Sequence, residues 1–141
     1  MPETPTRPAP RVLPPLTDRN RPYWTGGFDG ELLIQWCPAC ARFQHPPRRA
    51  CAACGGTIEP RAVSGKGTIF TFTINEYQYN PAVPPPYVIA VVELVEQDNL
   101  RLPTNIEGAD PGDVRVGLPV HVTFEIDAAH PDHAVPLFTL D

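Results

Sequence analysis

The chain has 141 residues, of which 42% are hydrophobic and 19% are charged, and its formal net charge is −5. This length fits one ordinary domain or two very small ones, and the hydrophobic fraction excludes a chain that is disordered by composition. The negative charge argues against binding to a phosphate backbone, because such binding depends on lysine and arginine. The 20 prolines argue against long helices, since an interior proline removes a hydrogen bond and clashes with the preceding turn.

The sequence has no run of about 18 apolar residues, so it predicts no membrane-spanning helix. Its start, MPETPTRPAPRVLPPL, lacks a positive segment followed by an apolar core and is not typical of a secretory signal. We therefore expect a cytoplasmic protein. The four cysteines should be reduced in that compartment, which favours metal binding over disulfides.

Composition divides the chain into three parts. Residues 1–16 are rich in Pro, Thr and Ala and predict a flexible tail, or an extended arm along a partner's surface. Residues 17–60 predict a short helix followed by a four-cysteine ribbon. Residues 61–141 predict a β-barrel.

The segment TDRNRPYWTGGFDG, residues 17–30, predicts a short helix. Thr17 or Asp18 is the expected N-cap, and Gly26 and Gly27 are expected to end the helix. The segment is too short to form its own core, yet it carries three aromatic residues: Tyr23, Trp24 and Phe28. These rings either cover one end of the neighbouring ribbon or barrel, or they anchor a partner protein, since Trp and Tyr are enriched at interface hot spots.

Two C-x2-C motifs separated by ten residues give the strongest signal: Cys37, Cys40, Cys51 and Cys54. Each motif forms a tight turn with both sulfurs on one side, and two such turns supply four thiolates in a tetrahedron, which suits zinc. All four positions are cysteine, so no position is left for a water or a substrate. The sequence therefore predicts one structural zinc ion per chain. Iron in the same thiolates, in an electron carrier, is the alternative.

The HPPRR segment lies between the two motifs. Its prolines fix the backbone before Arg48, which is a candidate to bind a phosphate or a partner's carboxylate; a solvated surface arginine is the alternative. His45 is predicted to be a packing or surface histidine, because four sulfurs already complete the metal site.

Residues 61–141 show the alternation and turn signals of five strands. The first strand alternates Phe70, Phe72 and Ile74 with threonines. A helix-poor connection between the third and fourth strands favours a small Greek-key barrel of the OB type. The predicted fold class is therefore mainly β, with a short N-terminal helix and a four-cysteine zinc ribbon followed by a five-stranded OB-fold barrel.

The loop QYNPAVPPP between the first two barrel strands is long for a hairpin connection. Tyr77 and Tyr79 lie beside its prolines and are further candidate partner-binding residues. The loop is either a rigid surface flap or a lid over a partner's active site.

No catalytic constellation is present in the sequence. Ser64 is the only serine, and no histidine lies near it. His130 and His133 flank Asp132 in a polar segment that predicts a solvated turn. We therefore predict no catalytic residue in this chain.

The order and spacing of these motifs resemble a family of bacterial and archaeal proteins. That family pairs a rubredoxin-like zinc ribbon with an acyl-CoA-associated OB-fold, and it was long catalogued as a domain of unknown function. The resemblance covers roughly residues 18 to 140 and rests on the following segments: RPYWTGGFDGELLIQWC, CPAC, HPPR, CAAC, VSGKGTIFTFT, PYVIAVVELVE and VGLPVHVTFE. Ala41 departs from it, because the family often has glycine after the first cysteine motif.

The resemblance implies a function that the residues alone do not. Family members form complexes with thiolase-like proteins, including lipid-transfer-protein-type aldolases, and others associate with MaoC-like hydratases. By resemblance, this chain is a non-catalytic subunit that stabilises a retro-aldolase or thiolase acting on acyl-CoA thioesters, in a heterotetramer. The expected pathway is steroid side-chain or related lipid or aromatic degradation, with possible contact to the CoA thioester at the interface. A nucleic-acid-binding module is the rival class, since zinc ribbons and OB-folds both serve there.

Overall fold

The computed structural model describes residues 11–79 and 84–141. The first ten residues of the predicted tail and the centre of the QYNPAVPPP loop lie outside the described residues. The described part contains helix α1 (Arg21–Thr25), 3-10 turns at Gly26–Asp29 and Pro111–Asp113, and strands β1 (Leu32–Cys37), β2 (Arg42–Gln44), β3 (Glu59–Val63), β4 (Lys66–Asn75), β5 (Tyr87–Leu94), β6 (Arg101–Ile106), β7 (Pro119–Ile126) and β8 (Ala134–Leu140).

The predicted N-terminal helix is present, but its first residue differs from the prediction. Its N-cap is Asn20 rather than Thr17 or Asp18, and Pro22 lies in its first turn, where proline is tolerated. The α-helix ends where the sequence predicts, because Gly26 is its C-cap, and Gly26 and Gly27 begin a separate 3-10 turn. A Cβ on Gly27 would collide with the Phe124 ring, so this glycine lets the turn pack closely on the barrel.

The ribbon is a three-stranded antiparallel sheet in the order β2-β1-β3. β1 is central, and its inward residues Leu32 and Ile34 are each only 1% exposed. Further along the same face, Trp36 packs edge-on against Phe43 with ring centroids 4.7 Å apart. The Arg61 guanidinium covers the Trp36 ring at 4.3 Å, a cation–π contact that shields the ring from water.

The second half is a closed barrel with strand order β4-β5-β6-β8-β7. β6 pairs in parallel with β8, and β7 closes the barrel against β4. This Greek-key arrangement of five strands confirms the predicted fold class. The barrel interior is filled by the following apolar side chains: Ile69, Val88, Ala90, Val92, Leu94, Leu102, Ile106, Val120 and Phe138.

The first barrel strand does not keep the predicted alternation. The register of β4 on β5 shifts between Ile69 and Thr71, so a β-bulge moves the extra residue, Phe70, out of the pattern. Ile69 is 1% exposed and faces the core, whereas Phe70 is 45% exposed. The Arg101 guanidinium lies over the Phe70 ring at 3.6 Å.

A glutamine joins the ribbon to the barrel. Gln97 lies in the turn between β5 and β6, and its Oε1 accepts a hydrogen bond from the Phe43 backbone N–H at 2.8 Å. Its Nε2 donates to the Phe43 carbonyl at 3.0 Å. One side chain therefore continues the hydrogen bonding of strand β2 and fixes the ribbon against the barrel.

The segment before the helix also contacts the barrel. Arg11 donates to the Glu125 carboxylate at 2.7 Å and to Glu107 at 3.2 Å, and the Arg11 side chain is only 8% exposed. His133 Nε2 donates to the Pro14 carbonyl at 2.8 Å. Residues 11–16 are thus held along the barrel surface. The boundaries 1–16, 17–60 and 61–141 stay a prediction.

The sequence predicts no membrane-spanning helix, and the helices of the described residues are short. Within residues 11–79 and 84–141, no helix has the length and apolar character needed to cross a bilayer.

Candidate metal centre and partner surface

The ribbon brings the four predicted cysteines together at one end of its sheet. Their Sγ atoms all lie within 4.8 Å of one another. Cys37 Sγ is 3.6 Å from Cys54 Sγ, and Cys40 Sγ is 3.9 Å from Cys51 Sγ. Cys37 ends β1, whereas Cys51 and Cys54 come from the loop before β3. The cluster therefore joins the end of β1 to the loop before β3, and β2 is the only regular element between these two segments.

Backbone amides point at the sulfurs, as expected for tight C-x2-C turns. Cys40 N donates to Cys37 Sγ at 3.4 Å, and Ala53 N donates to Cys51 Sγ at 3.4 Å. Hydrogen bonds from the backbone of Cys54 and Ala53 lower the pKa of Cys51 to about 6. Hydrogen bonds among the thiols, first with Cys54, raise the pKa of Cys40 to about 12. The surroundings of Cys51 thus favour its thiolate, whereas those of Cys40 favour the neutral thiol.

The geometry fits a tetrahedral metal. Zinc–sulfur bonds of about 2.3 Å place the sulfurs of a regular tetrahedron about 3.8 Å apart, close to the 3.6 and 3.9 Å separations of the two pairs. Four thiolates suit zinc or iron and leave no position for a substrate. A metal ion held by this cluster would stabilise the ribbon.

The residue after the first cysteine motif has strained backbone. Ala41 has φ of 53°, a left-handed conformation that glycine adopts freely and alanine adopts at a cost. This is the position at which the sequence departs from the family it resembles.

The candidate partner-binding aromatics divide into buried and exposed rings. Tyr23 is only 7% exposed and belongs to the hydrophobic core, which favours the interpretation that it covers the ribbon and barrel. Trp24 is half-buried and packs edge-on against His133 with ring centroids 5.7 Å apart. Phe28 lies within the 3-10 turn and is 43% exposed, so a partner can reach it.

The tyrosines beside the long loop are exposed. Tyr77 and Tyr79 are 68% and 74% exposed, and their rings contact each other with centroids 4.8 Å apart. Residues 80–83 lie outside the described residues, so the predicted lid has no structural description. Partner binding by the two tyrosines stays a prediction.

Arg48 is exposed, and its backbone is fixed by a residue that the sequence did not single out. Gln35 on β1 accepts from the Arg48 N–H and donates to the Arg48 carbonyl, both at 2.8 Å. Gln44 on β2 donates to Gln35 at 2.8 Å and accepts from Ala52 N at 2.9 Å. A glutamine pair therefore holds the loop that carries Arg48. Gln35 and Gln44 are nine residues apart and face each other across a hairpin. This spacing is too common for the sequence alone to have indicated that they hold the loop.

The segment with two histidines is not the solvated turn that the sequence predicts. His130 is 7% exposed, and its Nε2 lies 3.1 Å from Glu125 Oε1. That carboxylate also binds Arg11. No local pattern links a residue near the start of the chain to this segment, so the prediction of a solvated turn is wrong for His130.

Together, the four-cysteine cluster and the closed barrel define a zinc-ribbon and OB-fold protein. Comparison with known proteins agrees with this class. A family model described as the rubredoxin-like zinc ribbon domain of ChsH2 matches residues 24–59, and one described as the C-terminal OB-fold domain of ChsH2 matches residues 60–125. The chain belongs to this ChsH2-type family, in which a rubredoxin-like ribbon precedes an OB-fold.

Two curated relatives are subunits of hydratases. A probable enoyl-CoA hydratase alpha subunit of Thermomonospora curvata is 33% identical over 129 residues, which is 88% of this chain and 38% of the relative. The 3-oxo-4,17-pregnadiene-20-carboxyl-CoA hydratase alpha subunit of Mycobacterium tuberculosis is 35% identical over 115 residues, covering 80% of this chain and 36% of the relative. The chain thus spans little more than a third of each relative.

Solved structures include a similar chain in a complex described as the Ltp2-ChsH2(DUF35) aldolase. The two chains are 30% identical with a TM-score of 0.79, and the match covers 91% of this chain and 98% of the other. A DUF35 protein of unknown function from Sulfolobus solfataricus matches with 17% identity and a TM-score of 0.60, covering 88% of this chain and 86% of the other, which shows the fold alone.

Proposed function

We propose that this chain is a non-catalytic accessory subunit that binds and stabilises a thiolase-like enzyme acting on acyl-CoA thioesters. The enzyme we favour is a retro-aldolase of steroid side-chain degradation or of a related lipid or aromatic pathway. In this proposal the partner carries the chemistry, and this chain contributes a rigid ribbon and barrel at its surface.

The observation that carries the proposal is the extent of the match to the aldolase complex. The similarity covers 98% of a chain described as part of the Ltp2-ChsH2(DUF35) aldolase, with a TM-score of 0.79. The name of one curated relative supplies the substrate class, because 3-oxo-4,17-pregnadiene-20-carboxyl-CoA is a steroid CoA thioester. Both observations support a place beside an enzyme of CoA-linked steroid chemistry.

We further propose that the four cysteines hold one structural zinc ion and that the complex is a cytoplasmic heterotetramer. Reduced thiols persist in the cytoplasm, and thiolate separations of 3.6 and 3.9 Å suit a tetrahedral zinc. Two copies of this chain on a dimeric partner would give the tetramer, since homodimers are the commonest protein assembly. A contact to the CoA thioester at the interface belongs to the same proposal.

A reconstitution assay tests this function. The thiolase-like aldolase subunit is purified with and without this chain and supplied with a β-hydroxy steroid acyl-CoA. We expect retro-aldol cleavage from the pair, little or none from the partner alone, and none from this chain alone. Equal cleavage by the partner in the absence of this chain would contradict the accessory role.

The two rival functions have simple readouts. An iron electron carrier would be coloured, whereas a zinc protein has no visible absorption band. A nucleic-acid module would shift an oligonucleotide in a salt-sensitive way, which the net charge of −5 disfavours.

A further inference from the structure

A groove of about 510 Å³ separates the helical segment from the ribbon. Helix α1 and the residues before it form one wall, and the loop with Arg48 and the start of β3 form the other. The apolar part of its surface comes from Pro22, Leu33, Pro47 and Ile58. Its size is that of pockets that bind a ligand or a few inserted side chains.

Two aromatic residues with free polar atoms line this groove. Tyr23 and His45 lie side by side with ring centroids 4.8 Å apart, and neither the tyrosine hydroxyl nor the imidazole has a hydrogen-bond partner among the described residues. No fully buried side-chain N or O atom of the described chain lacks a partner, so these two polar groups are accessible from the open space beside the rings, which line this groove and a neighbouring one. A nearly buried hydroxyl without a partner marks a place where a ligand gains hydrogen bonds.

Burial also keeps the histidine uncharged. It lowers the pKa of His45 to about 4, so at neutral pH the ring offers one donor and one acceptor rather than a positive charge. The cationic groups of the groove are therefore arginines at its rim.

The rim carries mixed charge. Arg19, Arg48 and Arg49 line the groove together with Asp18 and Glu59. In the described part of the chain, none of the three guanidinium groups has an ion pair or a hydrogen bond. Unpaired arginines around a groove are available for a carboxylate, which they bind in bidentate geometry. The two carboxylates on the same rim would repel a ligand with several phosphates, whereas a polypeptide with charges of both signs would match it.

The loop that carries two of the arginines is held in place before any partner binds. Gln35 fixes the Arg48 backbone through two hydrogen bonds of 2.8 Å, and Gln44 holds the following residues. Less conformational entropy is lost on binding when a loop is already ordered. The two arginines are therefore presented from a fixed backbone.

We propose that this groove is the docking site for a carboxylate-bearing segment of the partner subunit. Arg48 and Arg49 pair with an acidic side chain of that segment, and the Tyr23 hydroxyl and His45 imidazole bind its backbone. The inference rests on the proposed function for the class of partner, and it names the surface that the partner occupies.

Binding of the zinc-loaded chain to the thiolase-like subunit, followed by biolayer interferometry, tests the site. The double change R48E/R49E should weaken binding about tenfold or more, with zinc content and melting temperature retained. R42E is the matched control, because Arg42 is exposed on the same ribbon but does not line the groove, and it should bind as the unmodified chain does. Y23F keeps the packed ring and removes only the hydroxyl, so we expect a several-fold loss of affinity.

The outcomes separate this inference from the proposed function. No binding by the unmodified chain overturns both. Binding that survives R48E/R49E overturns the docking site alone. If R48E/R49E keeps its affinity for the partner but no longer binds adenosine 3′,5′-bisphosphate, as the unmodified chain does, then the groove is a nucleotide site. That result would also overturn the inference.

Discussion

The cysteines, Ala41 and His45 each have a role that depends on their immediate surroundings. The C-x2-C spacing is a local property of the chain, so the sequence alone could place all four sulfurs in one cluster. Whether an aromatic ring is buried depends on distant segments. Tyr23 is buried while Phe28 is 43% exposed, although both lie on the same short segment, and the sequence could not separate them.

Replacement of a buried cysteine tests the metal site. Cys37→Ser removes a ligand that is 1% exposed, and we expect zinc content close to zero and a lower melting temperature. In small zinc domains, metal binding supplies on the order of 10 kcal/mol of folding free energy. Ala53→Ser in the second motif is the control, since it keeps every thiolate. Normal zinc content in Cys37→Ser, measured by mass spectrometry, would refute the site.

Ala41, whose backbone is strained, is a position at which a substitution should raise the stability of the chain rather than lower it. Ala41→Gly should stabilise the chain by about 0.5–1 kcal/mol, because glycine adopts the positive φ without steric cost. Ala53→Gly is the matched control: it lies in the other cysteine motif without positive φ and should be neutral or destabilising. Chemical denaturation of both variants measures the difference. Stabilisation by the control alone would contradict the argument.

His45 predicts a pH dependence of stability. Burial lowers its pKa from 6.5 to about 4, so the unfolded chain binds a proton that the folded chain does not bind between these values. The free energy of unfolding should therefore fall by up to about 2 kcal/mol between pH 7 and pH 5. His45→Gln stays neutral and should flatten this fall in urea unfolding, with zinc content followed at each pH. Identical slopes would show that the ring does not titrate in this way.

The strands and their order were largely predictable, because alternation and turn residues are local signals. The details that required long-range contacts were not. The bulge at Phe70 reflects the pairing of β4 with β5, and the Arg11–Glu125 pair joins residues 114 positions apart. The contact of Gln97 with Phe43 likewise crosses from barrel to ribbon, and no sequence pattern indicates it.

The hydrogen bonds from Gln97 to the Phe43 backbone predict how strongly the stability of the ribbon depends on the barrel. Gln97→Ala removes both hydrogen bonds to the Phe43 backbone and should cost about 1–2 kcal/mol. Hydrogen exchange should speed up in β2 more than in the barrel. Asp98→Ala, at the exposed neighbouring position, is the control. Unchanged exchange in β2 would show that the ribbon is held by its other contacts.

The whole molecule combines a metal-held ribbon, a closed barrel and a groove with unpaired arginines. These features favour a subunit that acts through binding. The mixed charge of the groove favours a protein partner over a nucleic acid.

Size-exclusion chromatography of the chain co-expressed with a thiolase-like aldolase subunit, with light scattering and metal analysis on the eluted peak, tests this account most directly. We predict one peak with the mass of a heterotetramer and about one zinc per copy of this chain. A lone monomer that carries iron, or one that elutes with bound nucleic acid, would contradict the account.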